Sequence, residues 1–252
     1  MTLTADQLHL LKYGNGPHII MMHGWGRSLN DIKPVADVLA EYATVHVIDL
    51  PGFGKTPPPP AEGWDTNQYA ELILDYIRKQ NLDKVILLGH SFGGRVSLRI
   101  SAKHPELVSK LILIDSHGLR PIRTLYQNLR VQCIKKAAKI VKLIDKTFGL
   151  KLYAEKFAKR FGSADYQNAG VLKNTFVKTI SEDQTSDVEK IRAKTLLLWG
   201  SEDQDTPVAM GQKFHQLIKD SKLIVLEGKG HSPFHGVGAH LCASHIIKFL
   251  QS

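Results

Sequence analysis

Cysteine is scarce in this chain of 252 residues, which contains only Cys133 and Cys242. The two cysteines are far apart and form no Cys-x-x-Cys pair, so we expect neither a disulfide framework nor a cysteine-bound metal cluster. Such sparing use of cysteine is typical of a reducing compartment. The sequence therefore favours a cytoplasmic protein.

Long hydrophobic runs are also missing. No stretch approaches the roughly 20 apolar residues of a membrane span, and the first ten residues lack the basic and then apolar pattern of a secretion signal. Zinc-finger spacing, aromatic RNA-binding motifs and GxxG clamps do not occur either, which argues against nucleic acid as a partner. We expect a soluble protein without a membrane span.

The composition is that of an ordinary globular protein, with 43% hydrophobic and 23% charged residues. A chain of this length can form one large α/β domain, or one such domain with a modest insertion. Monomer and dimer are both compatible with the sequence.

The formal net charge of +9 is concentrated in one segment. Residues 119–190 contain 15 Lys and Arg against 7 Asp and Glu, a surplus of 8, whereas the remaining residues contain 18 against 17. Solvated helix faces account for such a surplus, and attraction of anionic substrates or of a membrane surface is the functional alternative.

Short apolar runs typical of buried strands alternate with stretches of helical spacing along most of the chain. The runs are residues 19–22, 45–48, 85–88, 111–114, 195–199 and 223–226, with a weaker candidate edge strand at 8–13. This alternation predicts an α/β fold, in which a mostly parallel central sheet has helices on both faces and ligands bind at the carboxyl ends of the strands.

The alternation stops between residues 119 and 187, where the apolar spacing is helical throughout. We expect this stretch to be an inserted helical cap, with residues 1–118 and 188–252 forming the core. After the next strand, Thr206 is expected to be a helix N-cap and Pro207 the first helical residue.

The most informative motif is Gly-His-Ser-Phe-Gly-Gly at residues 89–94, where a strand pattern ends and a helical pattern begins. A strand-to-helix turn this tight needs small residues two positions before and two after its central serine, here Gly89 and Gly93. The turn places Ser91 at the positive end of the following helix, where developing negative charge is stabilised. Ser91 is therefore the candidate nucleophile.

A serine hydroxyl needs a base, and the base needs a third group that orients it. His231 follows the last predicted strand in a glycine-rich loop that can reach Ser91, and Asp203 follows the strand before it. We expect His231 to be the base and Asp203 the acid. Asp205 and Asp115 remain alternatives for the acid, because each also lies just beyond a strand.

The same chemistry needs two backbone N–H groups that stabilise the oxyanion of the tetrahedral intermediate. One is expected from Phe92, directly after the nucleophile. The other is expected from Trp25, whose neighbours Gly24 and Gly26 allow the backbone to turn inward.

Four residues are expected to support the substrate pocket, namely His23, Gly24, Gly26 and His90. His23 is expected to orient its loop through hydrogen bonds, and Arg95 is expected to form a structural ion pair.

Taken together, five motifs make the chain resemble the α/β-hydrolase superfamily over nearly its whole length. They are His-Gly-Trp-Gly at 23–26, Asp-Leu-Pro-Gly-Phe-Gly at 49–54, the serine motif at 89–94, Trp-Gly-Ser-Glu-Asp at 199–203 and Gly-His at 230–231. One departure is Lys55-Thr56, where many relatives have a small residue and then serine.

The resemblance implies a serine hydrolase that needs no cofactor and no metal. The capped members that this chain resembles include carboxylesterases and carbon–carbon bond hydrolases of aromatic degradation. Our first hypothesis is an esterase acting on small or medium acyl groups. A carbon–carbon hydrolase of dienoate substrates is the alternative, since a basic cap suits a carboxylate, and a non-catalytic receptor on the same fold is a further one.

Overall fold

The computed structural model describes residues 3–120, 125–150, 152–157, 160 and 163–252. Its central element is a seven-stranded sheet. The strands are β1 (Leu10–Gly14), β2 (His18–Met22), β3 (Thr44–Ile48), β4 (Val85–His90), β5 (Val108–Ile114), β6 (Lys194–Gly200) and β7 (Ser221–Leu226).

The strand order is β1-β3-β2-β4-β5-β6-β7. Only β1 runs antiparallel to its neighbour β3, and the other five pairings are parallel. The sequence-based prediction of a mostly parallel α/β sheet is therefore confirmed, and the weak pattern at residues 8–13 is an edge strand.

Helices connect the strands and cover both faces of the sheet. In chain order they are α1 (Leu29–Leu39), α2 (Thr66–Lys79), α3 (Phe92–Lys103), α4 (Leu125–Phe148), α5 (Ala164–Asn168), α6 (Lys173–Ser181), α7 (Thr185–Val188), α8 (Val208–Leu217) and α9 (Gly238–Leu250). Short 3-10 helices cover Ala5–Gln7 and Gly170–Leu172, and a π-helix covers Tyr153–Phe157.

Two apolar clusters, one on each face, explain why the strands are so hydrophobic. Along β4, Leu87 belongs to a cluster that includes side chains of α2, α3 and α8, whereas Ile86 and Leu88 belong to a second cluster with side chains of α1 and α9. Successive side chains of a strand point to opposite faces, so every residue of β4 is buried.

In the stretch between β5 and β6, the described residues form helices joined by short loops and no strand, as the sequence predicts. We call residues 119–187 the helical segment. Its expected end at Asp187 falls inside α7, which packs against α3 of the sheet core. Arg99 of α3 forms ion pairs with Glu182, at 2.8 Å, and with Asp187, so the end of the segment is fixed to the core.

Among the described residues, no helix has both the length and the apolar character that crossing a membrane requires.

Candidate functional site

Ser91 lies at the strained turn between β4 and α3. Its backbone adopts φ 49° and ψ −107°, a conformation that L-residues rarely adopt. A Cβ atom on Gly93 would lie 2.2 Å from the carbonyl oxygen of Met22, and one on Gly89 would lie 2.4 Å from the carbonyl oxygen of Gly93. The two glycines are therefore required by close backbone contacts around the serine.

A continuous hydrogen-bond chain connects Ser91 with His231 and Asp203. The Ser91 Oγ lies 2.9 Å from His231 Nε2, and His231 Nδ1 lies 2.8 Å from Asp203 Oδ2. With the imidazole proton on Nδ1, His231 donates to the carboxylate and accepts from the serine hydroxyl. The structure thus brings together the three side chains that the sequence predicts to be the nucleophile, the base and the acid.

Asp203 is held as a carboxylate by several donors. The backbone N–H groups of Asp205 and Thr206 donate to its Oδ1 at 2.8 and 3.0 Å, and the Thr206 hydroxyl donates to Oδ2 at 2.5 Å. Burial by itself raises the pKa of Asp203, but the hydrogen bonds from His231 and Thr206 outweigh it and lower the pKa to about 2. The group is therefore charged at neutral pH.

The bond from Thr206 corrects one expectation from the sequence. Helix α8 begins at Val208 with Pro207 as its N-cap, so Thr206 lies outside the helix. Its hydroxyl donates to Asp203, and Thr206 stands one residue before the N-cap position, whose side chain would accept the first helical N–H groups. A Thr-Pro pair before a helix predicts a cap, and only the tertiary fold shows the contact with Asp203.

The carboxyl group of Asp115, one of the two alternative acids, is hydrogen-bonded to the backbone of β6. It is fully buried, its Oδ1 accepts the N–H of Gly200 at 2.9 Å, and its Oδ2 has no hydrogen-bond partner among the described residues. Burial, with a further contribution from the charge of Asp203, raises the pKa of Asp115 to about 9. At neutral pH it is a neutral carboxylic acid beneath the site.

His90 supports the loop that carries His231. Its Nε2–H donates to the backbone carbonyl of His231 at 2.6 Å, and the two rings lie 5.1 Å apart. Burial and the neighbouring His231 lower the pKa of His90 to about 3, so its ring is neutral. A Cβ on Gly24 would lie 2.8 Å from His90 Nδ1, which explains the glycine opposite this ring.

His23 holds the loop of residues 23–26. The N–H of Leu50 donates to His23 Nε2 at 3.0 Å, which leaves the ring proton on Nδ1 to donate to the carbonyl of Gly24 at 2.7 Å. The N–H of Gly93 donates to the His23 carbonyl at 3.0 Å. The loop that contains Trp25 is thus tied to the turn that contains Phe92, as two adjacent oxyanion donors would require.

Aromatic rings form an apolar wall beside Ser91. The Trp25 ring lies 5.3 Å from that of Phe92, 5.0 Å from that of Phe53 and 5.0 Å from that of Phe176. Sequence reasoning did not single out the side chains of Phe53 and Phe176. Phe53 could have been found, since it lies in the motif after β3, but Phe176 belongs to α6 and no motif identifies it.

The loop after β3 is organised by Asp49. This buried carboxylate accepts the N–H groups of Leu29 at 2.7 Å and Lys55 at 2.9 Å, and its backbone carbonyl accepts the Thr56 hydroxyl at 2.7 Å. The departure from the family pattern at Lys55-Thr56 thus retains a hydroxyl group at the second position.

Arg95 is buried in α3, four residues after Ser91, and burial lowers its pKa to about 10. Its guanidinium donates to the carbonyl of Glu182 at 3.5 Å and also lies near the Glu182 charge. Arg95 therefore contacts the last part of the helical segment.

One group of possible metal ligands overlaps the site. Single ligand atoms of Asp203, Asp205 and His231 lie within 4.8 Å of one another. The first and third of these residues are already hydrogen-bonded to each other, which uses His231 Nδ1 and Asp203 Oδ2. These two atoms are therefore better suited to orienting His231 for proton transfer from Ser91 than to binding a metal ion.

Known proteins resemble this chain in sequence and in fold. A family profile described as alpha/beta hydrolase fold matches residues 17–236. A 2-hydroxy-6-oxo-6-(2'-aminophenyl)hexa-2,4-dienoic acid hydrolase of Metapseudomonas resinovorans is 29% identical over 241 residues, covering 88% of this chain and 80% of its own. A pimeloyl-[acyl-carrier protein] methyl ester esterase of Vibrio campbellii is 36% identical over 112 residues, covering 44% and 42% of the two chains.

Among solved structures, a bacterial membrane phospholipase A is similar with a TM-score of 0.76 and 27% identity, over 100% of this chain and 85% of the other. The relatives thus include hydrolases of esters and of carbon–carbon bonds. The profile match spans most of the chain, and the sheet order agrees with it. This protein belongs to the alpha/beta hydrolase fold family.

Proposed function

We propose that this chain is a serine hydrolase that cleaves carboxylic esters of small to medium acyl groups through an acyl-enzyme on Ser91. The observation that carries the proposal is the hydrogen-bond chain from Asp203 through His231 to Ser91, with distances of 2.8 and 2.9 Å. Such a chain increases the nucleophilicity of a hydroxyl group that is otherwise weak.

The reaction begins when His231 Nε2 takes the Ser91 proton as Oγ bonds to the ester carbonyl carbon. The N–H groups of Trp25 and Phe92 stabilise the resulting oxyanion. His231 then gives the proton to the departing alkoxide, and the C–O bond breaks. A water molecule, deprotonated by the same nitrogen, attacks the acyl-enzyme and releases the carboxylic acid and Ser91.

The aromatic wall of Trp25, Phe53, Phe92 and Phe176 supports an apolar acyl group rather than a charged one, because these rings offer little polar surface near Ser91. We further propose that the helical segment is the cap of a core made of residues 1–118 and 188–252. Phe176 supports this role, since this residue of the segment is part of the wall.

Labelling with a fluorophosphonate tests the class of enzyme. The adduct is expected on Ser91, located by peptide mass spectrometry, and the Ser91→Ala variant should remain unlabelled. A short p-nitrophenyl ester should give a burst of p-nitrophenol that this variant lacks. An adduct on another residue would contradict the proposal.

Removal of divalent metal ions provides a second test. Because every step uses protein groups and water, a chelator such as EDTA should leave ester turnover unchanged. Loss of turnover that zinc restores would instead assign the site to the ligands Asp203, Asp205 and His231.

Cleavage of carbon–carbon bonds is the second candidate, favoured by the 29% identity to the dienoic acid hydrolase. A vinylogous diketone acid is the diagnostic substrate, since its chromophore bleaches on cleavage. Bleaching by the wild-type chain, with slower turnover of simple esters, would favour this reaction over the first.

We also propose the cytoplasm as the location, supported by the two free cysteines, of which Cys133 is exposed. Cell fractionation with an antibody tests this assignment.

A further inference from the structure

Exposed apolar side chains are concentrated on one helix. Of the thirteen large hydrophobic residues that are exposed in the described part of the chain, seven lie between residues 126 and 150. They are Tyr126, Leu129, Ile140, Leu143, Ile144, Phe148 and Leu150. Burial of such side chains is the main driving force of folding and association, so this concentration indicates a surface that binds something.

These side chains form a row along α4. At 100° per residue, Tyr126, Leu129, Ile140, Ile144 and Phe148 project within an arc of about 100°. Leu143 extends one edge of the row and is 64% exposed. We call this row the apolar stripe. A stripe on one face of a helix of 24 residues is the pattern of an amphipathic helix with an unoccupied partner surface.

A second face of α4 packs against the protein. Ile134, Ala138 and Val141 project roughly a quarter turn or more away from the middle of the stripe and are half-buried. The apolar stripe is therefore additional to the face that the fold itself needs. The described part of the chain leaves its hydrophobic side chains exposed.

Positive charge borders the stripe. Helix α4 contains six Lys and Arg residues and one acidic residue, Asp145. That carboxylate accepts the backbone N–H groups of Leu152 and Tyr153 at 2.9 and 2.8 Å. Arg130 and Lys136 are exposed and project about 50° and 70° from the middle of the stripe, and no ion pair identified among the described residues uses a basic residue of α4.

We propose that α4 is a docking surface for an anionic lipid bilayer. The apolar stripe would enter the boundary between headgroups and acyl chains, and Arg130 and Lys136 at its edges would reach the lipid phosphates. A second copy of this chain fits less well, because facing stripes would bring two helices, each with a net charge of +5 (six minus one), into contact.

Aromatic contacts connect this surface to the candidate active site. The Lys142 Nζ lies 4.3 Å from the centre of the Tyr153 ring, and a hydrogen bond joins Tyr153 to Tyr166. The Tyr166 ring lies 6.3 Å from that of Phe176, which is part of the wall beside Ser91. The docking itself depends on α4 alone and not on the proposed reaction.

Vesicle binding tests the proposal. We would use the full chain with Ser91→Ala, so that lipid hydrolysis cannot alter the vesicles, and compare phosphatidylcholine vesicles with vesicles that also contain phosphatidylglycerol. Cosedimentation is expected only with the anionic vesicles and should weaken as salt rises. Equal binding to both vesicles, or to neither, would overturn the proposal.

Two double variants test the helix directly. Arg130→Glu with Lys136→Glu should weaken binding at least about tenfold, since each Lys or Arg near an anionic surface contributes about 1 kcal/mol. Ile140→Ser with Leu143→Ser should weaken it by a similar factor. The matched controls are Lys219→Glu with Lys222→Glu, both exposed on the sheet core, and the exposed Val237→Ser.

The controls should bind within about twofold of the parent, because their positions lie outside the docking helix. Thermal unfolding shows whether each variant is folded. Wild-type levels of binding by both double variants would refute the assignment to α4. A dimer in size-exclusion chromatography that the Ile140 and Leu143 variant loses would refute it as well, in favour of a second copy.

Cys133 offers a direct reporter. It is exposed on α4 near the stripe, whereas Cys242 is buried, so a maleimide dye sensitive to polarity should label the first selectively. Its emission is expected to shift to the blue with anionic vesicles and to stay unchanged with phosphatidylcholine alone. An unchanged spectrum while the protein cosediments would place the contact elsewhere.

Discussion

The sheet core and the helical segment differ in what they expose. Of the thirteen exposed large hydrophobic residues in the described part of the chain, ten belong to residues 119–187 and only Tyr42, Val237 and Leu241 belong to the core. Positive charge follows the same division, with a surplus of 8 in residues 119–190 and of 1 elsewhere.

Reactive groups follow the opposite distribution. The candidate nucleophile, base and acid all lie in the core, and the twelve histidines all lie outside residues 119–187. Precise geometry needs rigid, buried support, whereas recognition of a substrate or a surface needs exposed groups. We therefore expect the sheet core to carry out the reaction and the helical segment to recognise a substrate or a surface.

The largest effect is expected from substitution of the candidate acid, which tests whether ester turnover depends on residues of the core alone. Asp203→Asn should lower ester turnover about a thousandfold or more, because His231 would lose the acceptor that orients it. Asp165→Asn, a matched change in α5 of the helical segment, should keep most of the turnover. Turnover is measured with a p-nitrophenyl ester.

The alternative acids provide the controls for that experiment. Asp205→Asn and Asp115→Asn should each retain far more activity than Asp203→Asn. A variant at either position that loses turnover while Asp203→Asn keeps it would transfer the role of the acid. Circular dichroism shows whether each variant is folded.

Paired truncations test the difference in packing. Leu113→Ala in β5 removes a fully buried side chain and should lower the free energy of unfolding by about 3 kcal/mol. Leu143→Ala in α4 removes an exposed one and should change it by less than about 0.5 kcal/mol. Urea denaturation measures both. A similar loss for the two variants would show that the stripe is packed in solution.

The connection between the two regions can be weakened at Arg99. This side chain is 13% exposed and pairs with Glu182 and Asp187 at the end of the helical segment. Arg99→Met should lower the free energy of unfolding by about 2 kcal/mol, since two carboxylates lose their partner while some solvent reaches them.

The control for Arg99 is Lys33→Met, which breaks an exposed pair with Asp37 on α1. It should change the free energy of unfolding by less than about 0.5 kcal/mol. Equal effects in urea denaturation would mean that Arg99 does not stabilise the junction.

The smallest effect concerns pH and belongs to the core. Burial, with the nearby His18 and Lys12, lowers the pKa of His46 in β3 to about 4. The unfolded chain binds this proton near pH 6.5, so the contribution to stability is complete above about 6.5 and is lost as the pH falls towards about 4. The loss should be on the order of 1 kcal/mol at about pH 5.5.

His46→Gln should reduce this pH dependence, as measured by urea denaturation between about pH 7 and 5. In hydrogen-exchange measurements, the backbone amides of β3 should lose protection as the pH falls, whereas those of α4 should not. An unchanged pH dependence in the variant would assign the effect to other histidines, such as the buried His90 and the half-buried His117, whose pKa values are also lowered, to about 3.

Much of the fold follows from local pattern. The apolar runs predict β2 to β7 to within a few residues. Five of these are inner strands, and a strand buried on both faces needs an uninterrupted series of large apolar side chains. The glycines around Ser91 could be interpreted from sequence as well, since the close contacts at Gly89 and Gly93 leave no room for a Cβ.

Other features depend on residues distant in sequence. The sequence leaves the acid open among Asp115, Asp203 and Asp205, and Thr206 is expected to cap a helix. The fold turns Asp115 towards the N–H of Gly200 and brings Thr206 onto Asp203. Phe176 belongs to the aromatic wall only because α6 folds back over the loop of residues 23–26.

By itself, the sequence determined the order of the strands along the chain, the candidate serine, the candidate base His231, three candidate acids and the concentration of positive charge. These depend on spacing and composition, which act locally. Only the tertiary structure decided which carboxylate contacts His231 and which hydrophobic side chains of α4 remain exposed. Both depend on packing between distant segments, which no local pattern encodes.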